Sequence, residues 1–192
     1  MDNKKNYEKN NKNYQNITSC LLCGSTNLKK IFSVDEVCLT GYFPLKNEND
    51  PIKTPVSLVR CISCNNIQAQ ELVEPDLMFR DYWYRSSTTG TMKDHLKDIV
   101  ERIIKPGGVI LDIGSNDGVF IRNFSKEAIV AIEPCKNLAD ITSAMGYKTY
   151  CDFWDISAAS MIVGNHGEMD LIYSANTISH IENLYKYIKI EI

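Results

Sequence analysis

The stretch ILDIGSNDGVF, from Ile110 to Phe120, decides the fold. It begins as a short apolar run, which is typical of a buried parallel strand. The chain then turns at Gly114, and Gly118 follows four residues later. Glycines let the backbone approach a ligand closely, and the start of a following helix offers free N–H groups. The stretch therefore predicts a strand that leads into a ligand-binding loop.

Helical and strand patterns alternate on both sides of this stretch. Apolar residues recur at helical spacing within 75–105, and Pro106 to Gly108 ends that helix. The other predicted helices are 119–124, 138–145 and 181–190, and the predicted strands are 109–113, 128–132, 147–151 and 170–174. This alternation predicts an α/β fold with a parallel, Rossmann-like sheet.

The acids of the loop indicate which ligand it binds. A dinucleotide site has the pattern G-x-G-x-x-G, whereas Asp112 to Gly118 reads D-x-G-x-x-x-G. A carboxylate there repels phosphate and suits an amine. Glu133 follows the next strand, about 20 residues further on, where an acid can accept hydrogen bonds from ribose hydroxyls. Ribose with an amino-acid cation predicts S-adenosylmethionine; the alternative is a corner without a ligand.

Two Cys-x-x-Cys pairs lie in the loop-rich region 17–74, for which we expect only a small core of its own. Four thiolates at Cys20, Cys23, Cys61 and Cys64 predict a tetrahedral zinc ion, and they leave no open position for catalysis. The zinc is therefore expected to be structural. A redox dithiol and plain buried cysteines are the alternatives. Burial is also expected for the isolated cysteines, which are Cys38, Cys135 and Cys151.

Composition limits the remaining classes of function. The 192 residues carry a net charge of −3, which disfavours general nucleic-acid binding. No apolar run approaches the roughly 20 residues that cross a membrane, and the N-terminus lacks a signal-peptide core. These features predict a cytoplasmic protein. Residues 1–16 are dominated by Asn and Lys, which predicts a disordered leader.

The order of these segments resembles the zinc-containing nucleotide-sugar C-methyltransferases. The resemblance covers about 19–189 and rests on the two cysteine pairs and on DYWYRSSTTGTMKDH (81–95), LDIGSNDGVF (111–120), AIEPCKNLA (131–139) and DLIYSANTISHIENL (170–184). It implies an N-terminal zinc module and a class I methyltransferase core. It also implies methyl transfer to carbon in a ketodeoxysugar that is attached to a nucleoside diphosphate.

The resemblance also implies roles for individual residues. The implied cofactor-binding residues are Ser87, Asp112, Gly114, Asn116, Asp117, Gly118, Glu133, Pro134, Asp152, Phe153 and Asn176. Tyr84 and His180 are implied to face the sugar as catalytic residues, with Tyr82 as the alternative to Tyr84. Taken without the resemblance, residues 82–84 are equally compatible with packing aromatics, and His180 with a helix cap.

The chain departs from the family pattern after the fourth strand. No Y-x-E-H segment occurs in these 192 residues, and we expect the family's last three strands and its C-terminal domain to have no counterpart in this chain. We therefore expect four regions: a leader (1–16), a zinc-binding module (17–74), a helical linker (75–105) and a partial methyltransferase domain (106–192). This chain is expected to bind cofactor without methylating alone, with a second polypeptide as a possible partner. The alternatives are a non-catalytic scaffold and a zinc-ribbon nucleic-acid module, although no basic cluster supports the latter.

Overall fold

A computed structural model describes residues 7–8, 13–39, 43–80, 82–103 and 108–181. The chain divides into two compact units, of which the first ends at Met78 and the second begins at Phe79. We call the first the cysteine module and the second the sheet unit. Among the described residues, no helix is long and apolar enough to cross a membrane.

The cysteine module contains two antiparallel three-stranded sheets. The strands of the first, in the order β1-β2-β6, are β1 (Tyr7–Glu8), β2 (Tyr14–Ile17) and β6 (Glu71–Val73). The strands of the second, in the order β3-β4-β5, are β3 (Leu28–Cys38), β4 (Lys53–Cys61) and β5 (Ile67–Ala69). A short helix, α1 (Pro75–Phe79), follows and contains the boundary between the units.

The structure corrects two expectations for this module. Residues 14–16 are not a disordered leader, because they pair with β6, and this tertiary pairing overrides their polar composition. Residues 1–6 and 9–12 lie outside the described part. The region 17–74 is also less loop-rich than expected, since β3 and β4 form a hairpin of 11 and 9 residues. Its buried side chains lie mainly on β4, whereas β3 is exposed.

The sheet unit is built on four parallel strands in the order β10-β7-β8-β9. These are β7 (Ile110–Ile113), β8 (Ile129–Ile132), β9 (Lys148–Tyr150) and β10 (Leu171–Ser174). The predicted α/β class and parallel sheet are confirmed. The strand order reverses beside β7, because β8 and β9 extend the sheet in one direction and β10 pairs on the other side. Ligands of open α/β sheets bind at the carboxyl ends of the strands at such a switch point.

Three α-helices belong to the sheet unit: α2 (Gly90–Ile103), α3 (Lys136–Ala144) and α4 (Ile156–His166). Short 3-10 turns lie at Ser86–Thr88, Ile121–Asn123 and Ile178–His180. The helix predicted at 119–124 is therefore only one turn, which ends where the backbone of Phe124 is extended. Helix α4 was not predicted. The helix expected at 181–190 lies almost entirely outside the described residues.

Apolar side chains cover both faces of the parallel sheet. On one face, Leu96 of α2 and Ile121 pack with Ile110 and Ile129. On the other face, Ile162 of α4 packs with the remaining strand residues, which include Leu111. Helix α2 therefore belongs to the core of the sheet unit, and the expected linker at 75–105 is wrong for this part of the chain.

Candidate functional site: the carboxyl edge of the parallel sheet

The loop after β7 requires glycine at two positions. Gly114 has a φ of +78°, and a Cβ there would lie 2.2 Å from the Thr177 Oγ1 atom. Gly118 has a φ of +85°, and its Cβ would lie 2.7 Å from a methyl group of Thr142. Side chains at these positions are excluded by backbone conformation and by space. The loop therefore brings the backbone against the end of β10 on one side and against α3 on the other.

Glu133, at the end of β8, joins its own strand end to the glycine loop. Its carboxylate is buried and accepts hydrogen bonds from the Asn116 N–H at 2.7 Å and the Cys135 N–H at 2.9 Å. Each carboxylate oxygen has a second lone pair, so a ligand hydroxyl can still be accepted. The side chain expected to bind ribose is thus already oriented by two backbone amides.

Asp112 and Ser115 carry buried polar atoms that lack a hydrogen-bond partner within the described part of the chain. These atoms are Asp112 Oδ2 and Ser115 Oγ, in residues that are 2% and 5% exposed. Burial, with a smaller contribution from the charge of Glu133, raises the pKa of Asp112 to about 8. Unsatisfied buried polar atoms are costly and call for a partner. Their position at the switch point fits a ligand with polar groups.

Residues 82–87, which we call the strap, are held against the glycine loop by side chains of that loop. The Asn116 Oδ1 atom accepts from the Ser86 N–H at 2.9 Å, and its Nδ2 donates to the Tyr84 carbonyl at 3.2 Å. The Asp117 carboxylate accepts from both the N–H and the hydroxyl of Ser87. The structure therefore brings Tyr84 and Ser87 to the loop, and it gives Asn116 and Asp117 a positioning role.

A third residue that holds the strap was missed in the sequence. Asn137, in the first turn of α3, donates to the Tyr82 carbonyl at 2.7 Å and accepts from the Tyr82 N–H at 3.2 Å. An amide side chain can satisfy a backbone N–H and C=O together in this way. The available signal was the Asn that closely follows Glu133 and Pro134, but spacing alone does not reveal its partner.

The remaining predicted site residues lie around the same edge with fewer contacts. Asn176 follows β10 with a φ of +55° and is exposed, and the Thr177 hydroxyl donates to the Ile113 carbonyl at 3.2 Å. His180 is exposed, and its ring meets Phe79 edge-on at 5.2 Å. It lies at the end of a 3-10 turn rather than at the start of a helix. The structure does not bring His180 into a described hydrogen bond with the loop.

Asp152 and Phe153 follow β9. Asp152 is exposed and accepts from the Phe153 N–H at 2.8 Å. The Arg80 guanidinium lies 4.8 Å from the centre of the Phe153 ring, within the range of a cation–π contact. The predicted adenine contact of these two residues stays a prediction, and Arg80 is a neighbour that the sequence did not indicate.

The four paired cysteines come together in the cysteine module. The Sγ atoms of Cys20 and Cys64 lie 3.6 Å apart, as do those of Cys23 and Cys61, and all four lie within 4.8 Å of one another. Zinc–sulfur bonds of about 2.3 Å in a tetrahedron place sulfurs about 3.8 Å apart. A disulfide would need about 2.05 Å. The donor set and its spacing therefore fit a closed four-thiolate zinc site.

The two cysteine pairs form matching turns. The Gly24 N–H donates to the Cys20 carbonyl at 2.8 Å, and the Asn65 N–H donates to the Cys61 carbonyl at 2.9 Å. Both Gly24 and Asn65 have a positive φ. Backbone N–H groups of Cys64 and Ser63, with the neighbouring thiols, lower the pKa of Cys61 to about 6. In the same turn the Asn66 N–H lowers the pKa of Cys64, but burial and the neighbouring thiols outweigh it and raise that pKa to about 12. Metal binding must therefore release a proton from Cys64.

Of the isolated cysteines, only Cys135 is buried as expected. Cys38 and Cys151 are exposed, so the burial prediction is wrong for both. Cys38 ends the exposed strand β3, and Cys151 directly follows β9. Neither belongs to the four-cysteine cluster.

Comparison with known proteins indicates a methyltransferase relative. No family model matches the chain. The chain is similar to the C-methyltransferase NovU of Streptomyces niveus, with 26% identity over 180 residues. The similarity covers 88% of this chain and 43% of NovU, so the chain spans less than half the length of the curated relative that it matches. The chain is thus a distant homologue of a C-methyltransferase.

Proposed function

We propose that this chain provides the S-adenosylmethionine-binding part of a C-methyltransferase. The observation that carries the proposal is the pair of unpartnered buried atoms, Asp112 Oδ2 and Ser115 Oγ, beside the switch point of a parallel sheet. The similarity to NovU supports the class of reaction. A ligand with an amine and hydroxyl groups suits the acids of this edge better than a phosphate does, because a cation beside Asp112 favours its ionised form and an anion does not.

In this proposal, Asp112 and Ser115 bind the amino-acid end of the cofactor, and Glu133 accepts hydrogen bonds from its ribose. Gly114 and Gly118 allow close approach of the backbone. Asp152, Phe153, Pro134 and Asn176 complete the cofactor-binding set, and Ser87 fixes the strap through Asp117. S-adenosylmethionine supplies an electrophilic methyl group on its sulfonium when it is bound.

For the substrate, we propose a ketodeoxysugar attached to a nucleoside diphosphate. Carbon beside a ketone becomes nucleophilic when a base removes its proton and donors stabilise the enolate oxygen. Tyr84 and His180 are the proposed residues on the sugar side. The strap supports the proposal for Tyr84, since its backbone is hydrogen-bonded to Asn116. Inactivity of the chain without a second polypeptide stays a prediction.

In the cysteine module, we propose a structural zinc ion at Cys20, Cys23, Cys61 and Cys64. Four thiolates close the coordination shell, so no position remains for substrate. The two matching turns support this assignment because each presents both of its sulfurs to one point. We therefore expect the metal to stabilise the fold of the module and to take no part in catalysis.

Calorimetric titration of the zinc-loaded chain with S-adenosylmethionine tests the proposal. We expect one binding site per chain. Asp112→Ala should raise the Kd for S-adenosylmethionine at least about tenfold, since a hydrogen bond to a charged group contributes roughly 1.5–3 kcal/mol. Asp140→Ala is the matched control, because Asp140 is an exposed acid of α3 that pairs with Lys136. No heat and no competition by S-adenosylhomocysteine in the folded chain would overturn the proposal.

A further inference from the structure

A chain of hydrogen bonds connects the two cysteine turns through two side-chain amides. The Gln68 Oε1 atom accepts from the Leu21 N–H at 3.1 Å and from the Asn66 Nδ2 atom at 2.8 Å. The same Asn66 nitrogen lies 4.0 Å from the Cys20 Sγ atom, as a donor to that sulfur. The two amides follow the second cysteine pair in the sequence, whereas both ends of the chain of bonds belong to the first pair. We call these four residues the amide relay.

The orientation of both amides follows from the member of the relay that can only donate. A backbone N–H has no acceptor atom, so Leu21 must meet the oxygen of Gln68, and that oxygen in turn must meet the nitrogen of Asn66. Rotating the Gln68 amide by half a turn would set its Nε2 atom against two other donors. That atom is buried and has no partner within the described part of the chain. The second hydrogen of the Asn66 nitrogen is therefore directed to the Cys20 sulfur.

Cys20 is a sulfur that needs such a donor from the protein. It is 2% exposed, whereas Cys23 of the same pair is exposed to water. As a free thiol, Cys20 donates to the Gln68 Oε1 atom, 3.6 Å away. A metal-bound thiolate has no proton, so this contact is lost and an N–H must meet the charge. Hydrogen bonds to an ionised acceptor are about twice as strong as neutral ones.

Asn66 also reaches a second sulfur, through its backbone. Its backbone N–H forms a hydrogen bond with the Cys64 thiol. The Sγ atoms of Cys20 and Cys64 lie 3.6 Å apart, so one residue presents an N–H to one sulfur of each Cys-x-x-Cys pair. Groups that hydrogen-bond to metal ligands orient those ligands, and loss of such a group typically lowers metal affinity by about 10- to 100-fold.

We propose that Asn66 is a positioning residue of the zinc site, whose side-chain N–H donates to the Cys20 thiolate while Gln68 holds the amide in that orientation. This role depends on the proposed zinc ion and goes beyond it, because it assigns a function to side chains that are not ligands. The bonds among Leu21, Gln68 and Asn66 do not involve the metal, so they also help to bring the two cysteine pairs together for binding.

The affinity for zinc, measured by competition with a chelator, tests this inference. Asn66→Ala removes the donor, and the backbone accepts alanine because Asn66 does not have a positive φ. We expect this variant to raise the Kd for zinc about 10- to 100-fold. Asn66→Asp should raise it further, since a carboxylate oxygen would then face both the Gln68 oxygen and the thiolate. Asn27→Asp, the same charge change at an exposed asparagine of the module, should leave the Kd unchanged.

A second substitution tests whether Gln68 acts through Asn66. Gln68→Leu keeps a side chain of similar size but removes the acceptor, so it should also raise the Kd for zinc. In the double variant with Asn66→Ala, the combined fold-change should be smaller than the product of the two single effects, because both substitutions break the same relay. Effects that multiply fully would overturn the relay. Circular dichroism at saturating zinc confirms that each variant is folded.

Cadmium in place of zinc gives a readout that a loss of stability does not imitate. Nuclear magnetic resonance detects coupling between a bound cadmium nucleus and amide protons that are hydrogen-bonded to its thiolates. We expect such a coupling at a side-chain amide proton of Asn66. A chain that binds no zinc would overturn both this inference and the proposed metal site. Binding at four thiolates without the Asn66 coupling, or with an unchanged Kd in Asn66→Ala, would overturn this inference alone.

Discussion

The two units of this chain are stabilised in different ways. In the sheet unit, every residue of β7 and β8 is buried, and helices cover both faces of the sheet. In the cysteine module, β3 is exposed along nearly its whole length, and the buried side chains lie mainly on β4. A small module with little apolar burial needs a metal, whereas a two-faced parallel sheet does not. The two units are therefore expected to depend on different stabilising interactions.

Removal of the metal should produce the largest difference between the two units. Chelation, or Cys61→Ser, is expected to unfold the cysteine module while the sheet unit keeps its structure, since structural zinc contributes on the order of 10 kcal/mol in small zinc peptides. Amide hydrogen exchange measures the loss of protection in residues 13–78. Cys38→Ser is the control, because Cys38 is exposed and lies outside the cluster. Unchanged protection in the module after metal loss would contradict a structural site.

Truncation of a core side chain in the sheet unit should destabilise that unit and leave the cysteine module folded. Leu111→Ala, at a fully buried position of β7, is expected to lower the free energy of unfolding by about 2–5 kcal/mol. Fluorescence reports this unit specifically, since Trp83 and Trp154 both belong to it. Zinc content should not change. Ile172→Ala, at an exposed position of β10, should cost under about 0.5 kcal/mol; equal losses in the two variants would refute the assigned core.

Gly114→Ala separates backbone strain from the contact with Thr177. Gly167 has nearly the same φ, +79° against +78°, but a Cβ there meets nothing within 4 Å. Gly167→Ala should therefore cost only the backbone penalty of its conformation, with φ 79° and ψ −168°, which is about 1–3 kcal/mol. Gly114→Ala should cost about 1–3 kcal/mol more, by the general cost of overpacking, and should weaken cofactor binding. Denaturant titration measures both, and equal costs would show that the Thr177 contact is not restrictive.

The pH dependence of stability tests the burial of Asp112. Its pKa is raised to about 8 in the folded chain, so the unfolded chain loses this proton first as the pH rises from about 4 to 8. Stability should therefore fall with rising pH in that window. Between pH 6 and 8, Asp112→Asn should remove about 2 kcal/mol of this fall. Asp140→Asn, at an exposed site, should leave the profile unchanged; identical profiles for wild type and Asp112→Asn would contradict the shift.

The sequence predicted the parts of the structure that depend on local pattern. The apolar runs of β7 and β8 predicted buried strands because a strand covered on both faces has no polar side. The spacing of Cys20, Cys23, Cys61 and Cys64 predicted one cluster because each pair turns two sulfurs towards one point. Gly114 predicted the sharp turn.

Features that depend on distant partners were not predicted. Helix α4 was missed because its sequence is nearly uniform in hydropathy, although Asp155 caps it by accepting from the Ala158 N–H at 2.8 Å. The roles of Asn116 and Asn137 in holding the strap depend on backbone groups about 30 and 55 residues away. The exposed edge of β3 appears only when its pairing is known.

Mapping of S-adenosylmethionine binding on amide chemical shifts of the labelled, zinc-loaded chain tests the central claim most directly. The claim is that the carboxyl edge of the parallel sheet is the cofactor site and that the cysteine cluster is structural. We expect the largest shifts in the backbone of residues 112–118 and at Glu133 and Cys135. Shifts confined to the turns around Cys20 and Cys61, or no shifts at saturating cofactor, would contradict it.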